Sequence, residues 1–339
     1  MKMFANSTER HDERHIAGSL LLQRRNSKFA PDFAFSGGVA FSRNSVEETL
    51  SNFVLLGSRE LSGGTFFSGF VNCEPERVED GDIWFASDLA KDKSDSNSHF
   101  RCVVDYARKR KRALVVFNHW FATERYDRFA SFFARAGITV VQVPLPYHFE
   151  RAEEDGKSQF RAFSANLGET VFAVRQAVLD GRKVVSWLFE EGYEEVSVAG
   201  MCLGGLVAGL VAANDTRVSK YISVVSAGSM ADAVWTGDTL VPIKEKISKI
   251  LDLDGYRMAM AIISLEAHAE KLAKVDSMFV IGVNDRVVRP EVTMGLFPEL
   301  DVYGGDPRVL KVQAGHSSLG IFPHNLNVAW KVLNFLKET

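Results

Sequence analysis

The sequence predicts an α/β fold in which helices cover both faces of a mostly parallel sheet. From residue 112 onward, short apolar runs typical of buried strands alternate with longer runs whose apolar residues recur at helical spacing. One strand runs directly into the glycine-rich turn Gly-Met-Cys-Leu-Gly-Gly at residues 200–205 and then into an apolar helix. Hydrophobic residues make up 46% of the 339-residue chain, enough to fill a large core.

The alternation can be followed element by element. The predicted strands are Ala113–Phe117, Ile138–Val143, Val196–Ala199, Tyr221–Val225, Met278–Val283 and Val309–Val312. Helices are expected at residues 126–137 and 167–191, then at Leu203–Ala213 and Asn325–Leu336. Before residue 112, the strand-like runs are Thr65–Val71, Asp82–Phe85 and Phe100–Tyr106, with a polar loop at Lys91–Ser98.

Two segments lie outside this pattern. Residues 1–60 are expected to form an N-terminal helical extension, with its better helix at Ser45–Leu56, capped by Ser45 with Glu48 three residues later. Its role as an arm, a dimer contact or part of a cap is left open. Residues 230–275 carry apolar residues at helical spacing and predict a helical cap inserted into the α/β domain, which spans residues 61–339. The alternative is an ordinary helix packed on the side of the sheet.

Charge and cysteine content exclude several classes of function. The formal net charge of −3 gives no reason to expect nucleic acid as a partner, and the basic run 108–112 is interpreted as a solvated strand entry. Three cysteines without metal-ligand spacing favour a reducing compartment and predict neither a metal nor a cofactor. The start of the chain lacks the apolar core of a secretory signal, and Leu20–Leu22 is too short to span a bilayer. We expect a cytoplasmic protein, with a homodimer left open.

The turn at residues 200–205 has the pattern of a nucleophile elbow with cysteine as the attacking residue. A nucleophile on a sharp strand-to-helix turn needs small neighbours, which Gly200, Gly204 and Gly205 supply. The positive end of the following helix favours a thiolate at Cys202. The alternative is an ordinary glycine-rich turn around a buried, inert cysteine.

A thiol nucleophile needs a base and a group that orients the base. His316 follows the strand Val309–Val312, and Asp285 follows Met278–Val283, in the chain order nucleophile, acid, histidine. We therefore predict a catalytic triad of these two residues with Cys202. The weaker alternatives are His268 and His324 for the base and Asp301 and Asp306 for the acid.

The oxyanion hole requires two backbone N–H donors. Leu203, directly after the nucleophile, is the predicted first donor. The second is expected from Trp120 or Phe121, in the loop after the strand Ala113–Phe117. Their aromatic side chains are expected to line the pocket, and His119 is equally compatible with a structural or a catalytic role.

On these motifs, residues 112–339 resemble the α/β-hydrolase superfamily. The elbow at residues 200–205 is similar to the cysteine elbow of dienelactone hydrolases, and polyhydroxyalkanoate synthases also carry cysteine there. The segment Val143–Arg151 looks like a loop of cap-bearing bacterial hydrolases and of a little-characterised eukaryotic hydrolase group. The chain departs from dienelactone hydrolases in its greater length, its extension and its insertion. Arg151 is a candidate ligand for an anionic group, with a solvated arginine as the favoured alternative.

The resemblance implies acyl chemistry. We expect hydrolysis of a carboxylic ester, lactone or thioester through a thioester acyl-enzyme. The 25 phenylalanines and the cap favour an apolar acyl group in a small-molecule substrate. The alternatives are an acyltransferase of the polyester-synthase type and a non-catalytic hydrolase-like binding module.

Overall fold

A single sheet organises the chain. The computed structural model describes residues 2–26, 30–69, 72–79, 81–89, 96–153 and 158–338. Within these ranges, nine strands form one sheet in the order β1-β2-β3-β5-β4-β6-β7-β8-β9. The strands are β1 Arg77–Glu79, β2 Asp82–Ala86, β3 His99–Asp105, β4 Arg112–Phe117, β5 Thr139–Val143, β6 Glu195–Met201, β7 Val218–Val224, β8 Asp276–Gly282 and β9 Arg308–Val312.

The sheet is parallel from β5 to β9 and antiparallel at its other end. Strand β4 pairs in parallel with both β5 and β6, and β6 to β9 continue in parallel. Strands β1, β2 and β3 pair antiparallel with one another, and β3 pairs antiparallel with β5. Because β4 and β6 lie in the middle, the loops after these two strands meet at one edge. The predicted fold class, a mostly parallel sheet covered by helices, is confirmed.

Helices cover both faces of the sheet. Along β4, Val115 and Phe117 join the core beneath the helices Leu167–Glu190 and Leu203–Asn214, whereas Leu114 and Val116 join the core beneath the helices Asp127–Arg135 and His324–Lys337. None of the helices in the described part of the chain is both long and apolar enough to cross a membrane. The helices are α1 Lys2–Arg25, α2 Gly37–Ala40, α3 Leu50–Gly63, α4 Asp127–Arg135, α5 Gln159–Ala162, α6 Leu167–Glu190, α7 Leu203–Asn214, α8 Met230–Thr236, α9 Val241–Ile247, α10 Leu253–Met260, α11 Ala269–Leu272, α12 Pro290–Met294, α13 Phe297–Val302 and α14 His324–Lys337.

Two local predictions before residue 112 differ from the structure. The run Thr65–Val71 is not a strand over its described residues, 65–69, which form turns and bends; residues 70 and 71 lie outside the description. Helix α3 begins at Leu50 rather than near Ser45, because the hydroxyl of Thr49 accepts the Asn52 N–H at 3.3 Å and caps the helix there. Of the predicted loop at 91–98, only Ser96–Ser98 is described, and it forms a short 3₁₀ helix.

The segment after α1 is joined to the helical layer over the sheet. The N–H of Leu167 donates to the carbonyl of Ala34 at 2.8 Å, and Ala34 pairs with Asn166 in an isolated parallel bridge. The rings of Phe35 and Phe41 pack on Phe53 of α3 and belong to the same core as α6 and α7. Residues 30–63 therefore share a core with the sheet.

Helices α8 to α11 lie between β7 and β8, within the span 230–275. Helix α10 packs against α3 and α8, and α11 packs against α7 and α13. Leu265, in a 3₁₀ turn before α11, fills the space left by Gly209 of α7, where a Cβ would come within 2.8 Å of Leu265 Cδ2. The insertion is thus helical and packs on both α7 and the extension.

Three residues of the basic run 108–112 form ion pairs where β4 begins. Arg110 pairs with Glu191, Lys111 with Glu194, and Arg112 with Glu195 at 2.7 Å. These carboxylates belong to the turn between α6 and β6 and to the start of β6. The pairing agrees with a strand entry rather than an anion-binding surface.

Arg151 is neither solvated nor available to an anionic ligand. Its side chain is fully buried, and Nη1 donates to Asp180 Oδ2 of α6 at 2.8 Å. Further bonds run to the carbonyls of Pro144 and Asn97, both at 3.2 Å, while Asp180 Oδ1 accepts from Ser87 Oγ. The guanidinium therefore fastens the loop after β5 to α6, and both sequence-based expectations for Arg151 are wrong.

Removing Arg151 alone should destabilise the fold, because the carboxylate of Asp180 would stay buried without its partner. We expect Arg151→Met to lower the free energy of unfolding by about 3–5 kcal/mol. The double variant Arg151→Met/Asp180→Leu should recover most of this loss. Urea denaturation followed by circular dichroism measures both, and a single variant within about 1 kcal/mol of the parent would contradict the structural role.

Candidate active site

Cys202 occupies a strained position between β6 and α7. Its backbone angles are φ 54° and ψ −122°, a region that non-glycine residues rarely adopt. Two hydrogen bonds hold the backbone in this conformation. The Cys202 N–H donates to the carbonyl of Val224 at 3.0 Å, and the Cys202 carbonyl accepts from Ser226 Oγ at 2.7 Å. The half-buried side chain stands where the sheet's strands end and α7 begins.

The three elbow glycines are required by close contacts. A Cβ on Gly204 would lie 2.4 Å from the carbonyl oxygen of Asn118, and one on Gly200 would lie 2.1 Å from the carbonyl oxygen of Gly204. A Cβ on Gly205 would come within 2.5 Å of Ser226 Cβ. The elbow is therefore pressed against the loop after β4.

The structure brings His316 and Asp285 together beside the elbow. His316 lies after β9, and its Nδ1 is 2.7 Å from Oδ2 of Asp285, which lies after β8. The other carboxylate oxygen of Asp285 accepts the N–H groups of Val287 and Val288 at 2.8 and 2.9 Å. Both side chains are buried, so Asp285 is orientated by its own loop and orientates the imidazole in turn.

The imidazole of His316 also reaches the elbow cysteine. Burial acts to lower the pKa of His316, but the Asp285 carboxylate, which is hydrogen-bonded to the ring, and the neighbouring Cys202 sulfur raise that pKa well above its usual value. The structure therefore places the three predicted triad residues next to one another. They are far apart in the chain but meet in space, because β6, β7, β8 and β9 are parallel neighbours and the loops after them lie at the same edge of the sheet.

The alternative residues lie elsewhere. His268 is buried in the insertion, where its Nε2 contacts the carbonyl of Ile262 at 2.9 Å, and His324 begins α14. Asp301 and Asp306 are exposed. In the part of the chain that the structure describes, no three histidine, cysteine or acidic side chains cluster closely enough to hold a metal ion.

The two candidate donors in the loop after β4 differ in their partners. The N–H of Phe121 donates to His148 Nε2 at 3.2 Å and is already used. Among the described residues, the backbone N–H groups of Trp120 and Leu203 have no acceptor. The geometry therefore favours Trp120 over Phe121 as the partner of Leu203 in an oxyanion hole.

Sequence reasoning missed the part played by His148. It is completely buried, and burial lowers the pKa of its imidazole to about 4, so the ring is neutral. Nδ1 donates to the carbonyl of Pro146 at 2.9 Å, which leaves Nε2 free to accept from Phe121. No spacing signal marks this residue, because its partners come from a different loop.

Tyr126 is a second residue that the sequence did not single out for the site. Its hydroxyl lies 2.7 Å from His119 Nδ1 and accepts the backbone N–H of His119 at 3.2 Å. Burial raises the pKa of Tyr126, and so, more weakly, does the neighbouring Cys202 sulfur. Burial lowers the pKa of His119 to about 4, which favours a structural, neutral role for this histidine.

A sequence comparison decides the family of the chain. A family model described as "Alpha/beta hydrolase domain containing 18" matches residues 97–289, more than half of the chain. The chain belongs to this alpha/beta hydrolase family. The matched region includes the elbow and Asp285, while His316 and helix α1 lie outside it. No curated protein sequence matches the chain.

Solved structures show the same fold at low sequence identity. Acetyl xylan esterase 1 from Thermoanaerobacterium sp. superposes with a TM-score of 0.58 at 14% identity, covering 87% of this chain and 96% of that one. Est1E from Butyrivibrio proteoclasticus, solved with ferulic acid bound, gives 0.53 at 16% identity, covering 79% and 98%. Pyrococcus horikoshii acylaminoacyl peptidase gives 0.56 at 13% identity over 70% of this chain, which spans only 39% of that protein. The similarity to dienelactone hydrolases stays a prediction.

The elbow contacts predict the effect of adding a methyl group there. Gly204→Ala should lower the free energy of unfolding by at least about 1–3 kcal/mol, because its Cβ meets backbone atoms that cannot rotate away. Gly18→Ala is the matched control, since Gly18 lies in helix α1 with nothing near its Cβ position, and it should raise stability by about 0.5–1 kcal/mol. Urea denaturation should show changes in the free energy of unfolding of opposite sign for the two variants. Equal changes would contradict the contact.

The neutral state of His148 predicts a pH dependence of stability. Its pKa is about 4 in the folded protein and near 6.5 in the unfolded chain, so only the unfolded chain takes up a proton between these values. Protonation of this residue in the unfolded chain should therefore lower the free energy of unfolding by up to about 3 kcal/mol as the pH falls from 6.5 to 4. His148→Gln keeps one acceptor and one donor without titrating, and its urea midpoint should fall less over that range. Parallel pH curves for variant and parent would refute this assignment.

Proposed function

We propose that the protein hydrolyses carboxylic esters, lactones or thioesters with Cys202 as nucleophile, His316 as base and Asp285 as orientating acid. The observation that carries the proposal is the hydrogen bond from Asp285 to His316, whose ring neighbours a cysteine held in the strained elbow conformation. A structural cysteine has no need of such a partner or such a backbone.

The residues support a two-step reaction. His316 takes the thiol proton of Cys202 on Nε2 while its Nδ1–H keeps donating to Asp285, and the sulfur attacks the acyl carbonyl. The oxyanion accepts the N–H groups of Leu203 and Trp120, and collapse expels the alkoxide or thiolate, which leaves with the proton from His316. Water, deprotonated by His316, then attacks the thioester and releases the acid and the free thiol.

Among the three cysteines, Cys202 is best suited to this reaction. All three are free thiols, but Cys102 is fully buried, and its burial raises the pKa of that thiol. Burial and the neighbouring Glu190 raise the pKa of Cys73 to about 11. Free thiols also agree with the proposed cytoplasmic location.

The surroundings of the elbow favour an apolar acyl group. Trp120 packs on Phe121 and Phe163 with ring centroids 4.3 and 5.1 Å apart, and Phe121 packs on Phe160 at 5.0 Å. The indole N–H of Trp120 is held by the carbonyl of Gln159. We assign residues 230–275 the role of a cap, since Asp238 pairs with Arg286 beside the catalytic acid.

A panel of activated esters, thioesters and lactones of increasing acyl length tests the proposal. Cys202→Ala should lower kcat/KM by about 10³-fold or more, because the attacking atom is lost, and His316→Ala should have a comparable effect. Cys202→Ser should keep part of the activity. Mass spectrometry of the parent protein should find the acyl group on Cys202.

The outcome against the proposal is equally clear. A folded parent protein that hydrolyses none of the panel and gains no acyl mass would refute thioester chemistry and favour a non-catalytic binding module. Cys102→Ala is the matched control, because it removes a thiol that the mechanism does not use.

Acyl transfer to an alcohol is a second candidate function. It is favoured by the burial of His316 and the half-burial of Cys202, since a covered site limits the access of water to the acyl-enzyme. Adding an alcohol acceptor to the thioester assay distinguishes the two. Ester product that exceeds free acid at low acceptor concentration would indicate transfer.

A further inference from the structure

Helix α1 contacts the loop that carries the proposed catalytic base. Oδ1 of Asp12 accepts the backbone N–H groups of Ser317 and Ser318 at 3.0 and 2.9 Å and the hydroxyl of Ser317 at 2.8 Å. Oδ2 accepts the Ser318 hydroxyl at 2.5 Å. One carboxylate, more than 300 residues away in sequence, thus takes four hydrogen bonds from the two residues after His316.

The loop is built around this carboxylate. The N–H of Gly315 donates to Ser318 Oγ at 2.9 Å, and that hydroxyl donates in turn to Asp12, so residues on both sides of His316 are tied to the same group. A Cβ on Gly315 would lie 2.4 Å from Asp12 Oδ2, and its three nearest atoms would all belong to the Asp12 carboxyl group. Glycine at 315 and aspartate at 12 are therefore matched to each other.

Helix α1 is also anchored near the proposed catalytic acid. Gln23 is buried, and its Nε2 donates to the carbonyl of Thr239 at 2.8 Å. The neighbouring Asp238 donates its N–H to the carbonyl of Arg286 and pairs with the Arg286 side chain, directly after Asp285. The inward-facing residues of the helix, at helical spacing, are Thr8, Asp12, Ile16 and Gln23.

The charges around the helix agree with this placement. Burial opposes ionisation of Asp12, but its hydrogen bonds to Ser318 and Ser317 lower the pKa of the carboxyl group, so it is a carboxylate at neutral pH. Burial and then the neighbouring His316 lower the pKa of His15, one turn further along α1. His316 thus interacts electrostatically with Asp285, Cys202, His15 and His119.

We propose that Asp12 is a positioning residue: its carboxylate holds the loop at 315–318 so that His316 contacts Asp285 and Cys202 at the same time. The proposal rests on the function proposed above, in which His316 is the base. Hydrogen bonds to a carboxylate are roughly twice as strong as neutral ones, and four of them fix an irregular loop. Displacing a base by about 1 Å can cost about a hundredfold in rate.

The test is the reactivity of Cys202 toward iodoacetamide as a function of pH, with modification located by mass spectrometry, alongside ester kinetics. In Asp12→Asn, alkylation at pH 7 should slow by about tenfold or more, and its pH profile should move up toward that of His316→Ala. For esters, kcat should fall about 10- to 100-fold while KM changes less than about threefold. Glu13→Gln, an exposed carboxylate beside Asp12 on the same helix, should leave both readouts unchanged.

A double-mutant cycle keeps the test independent of folding yield. Gly315→Ala should slow alkylation in the parent protein, because its Cβ collides with the Asp12 carboxylate. In an Asp12→Ala background the same substitution should add little further loss, since the colliding atoms are gone. Equal, additive effects in both backgrounds would overturn the assignment.

The two proposals fail in different ways. If Cys202 of the parent protein reacts no faster than Cys202 in His316→Ala, the proposed function is refuted. If Cys202 of the parent protein reacts faster than Cys202 in His316→Ala, and Asp12→Asn has the parent's pH profile of alkylation, only the role of Asp12 is overturned.

Discussion

The contact between the elbow and the loop after β4 is the constraint on which the rest of the site depends. The backbone of α7 lies against the carbonyls of Phe117 and Asn118, with no room for a side chain on Gly204. This approach brings two backbone N–H groups, from Leu203 and Trp120, into the same region without hydrogen-bond partners in the described chain. It also holds Cys202 at its positive φ, since the turn cannot relax without moving one of the central strands. Packing energy from the middle of the sheet thus maintains a backbone conformation that is locally unfavourable.

The loops that carry His316 and Asp285 are not held by the sheet in this way. Strands β8 and β9 end before these loops, and the irregular chain beyond each strand has polar groups that need partners. Some of those partners come from segments outside the parallel α/β core: Asp12 from α1 for one loop, and Asp238 from the inserted helices for the other. Gln23 links α1 to the residue after Asp238. The extension and the insertion therefore belong to the support of the proposed site, whatever else they contribute.

Sequence reasoning succeeded where a local pattern and a buried environment agree. The apolar runs of β4 to β8 and the helices α6 and α7 lie close to their expected positions, because burial on both faces of a parallel sheet leaves little freedom in composition. The predictions were wrong where a short segment is compatible with more than one local structure. Ser45 and Thr49 are both suitable helix caps, and only Thr49 is used, while Glu48 turns instead toward the N–H of Gly37. The apolar side chains at 66 and 67 suggested a strand, but they are buried in turns against the helical layer.

The sequence by itself determined the fold class, the elbow and the order of the residues proposed as nucleophile, acid and base. These depend on periodicity, on glycines next to a turn and on residues that come directly after strands, all of which are short-range features. The tertiary structure alone decided that Arg151 is buried against Asp180, that Phe121 gives its N–H to His148, and that Asp12 reaches the loop of His316. Each of these joins residues from separate elements, and a hydrogen bond across such a distance in the chain leaves no trace in local spacing. The physical reason is that side-chain partners are selected by the packing of whole elements.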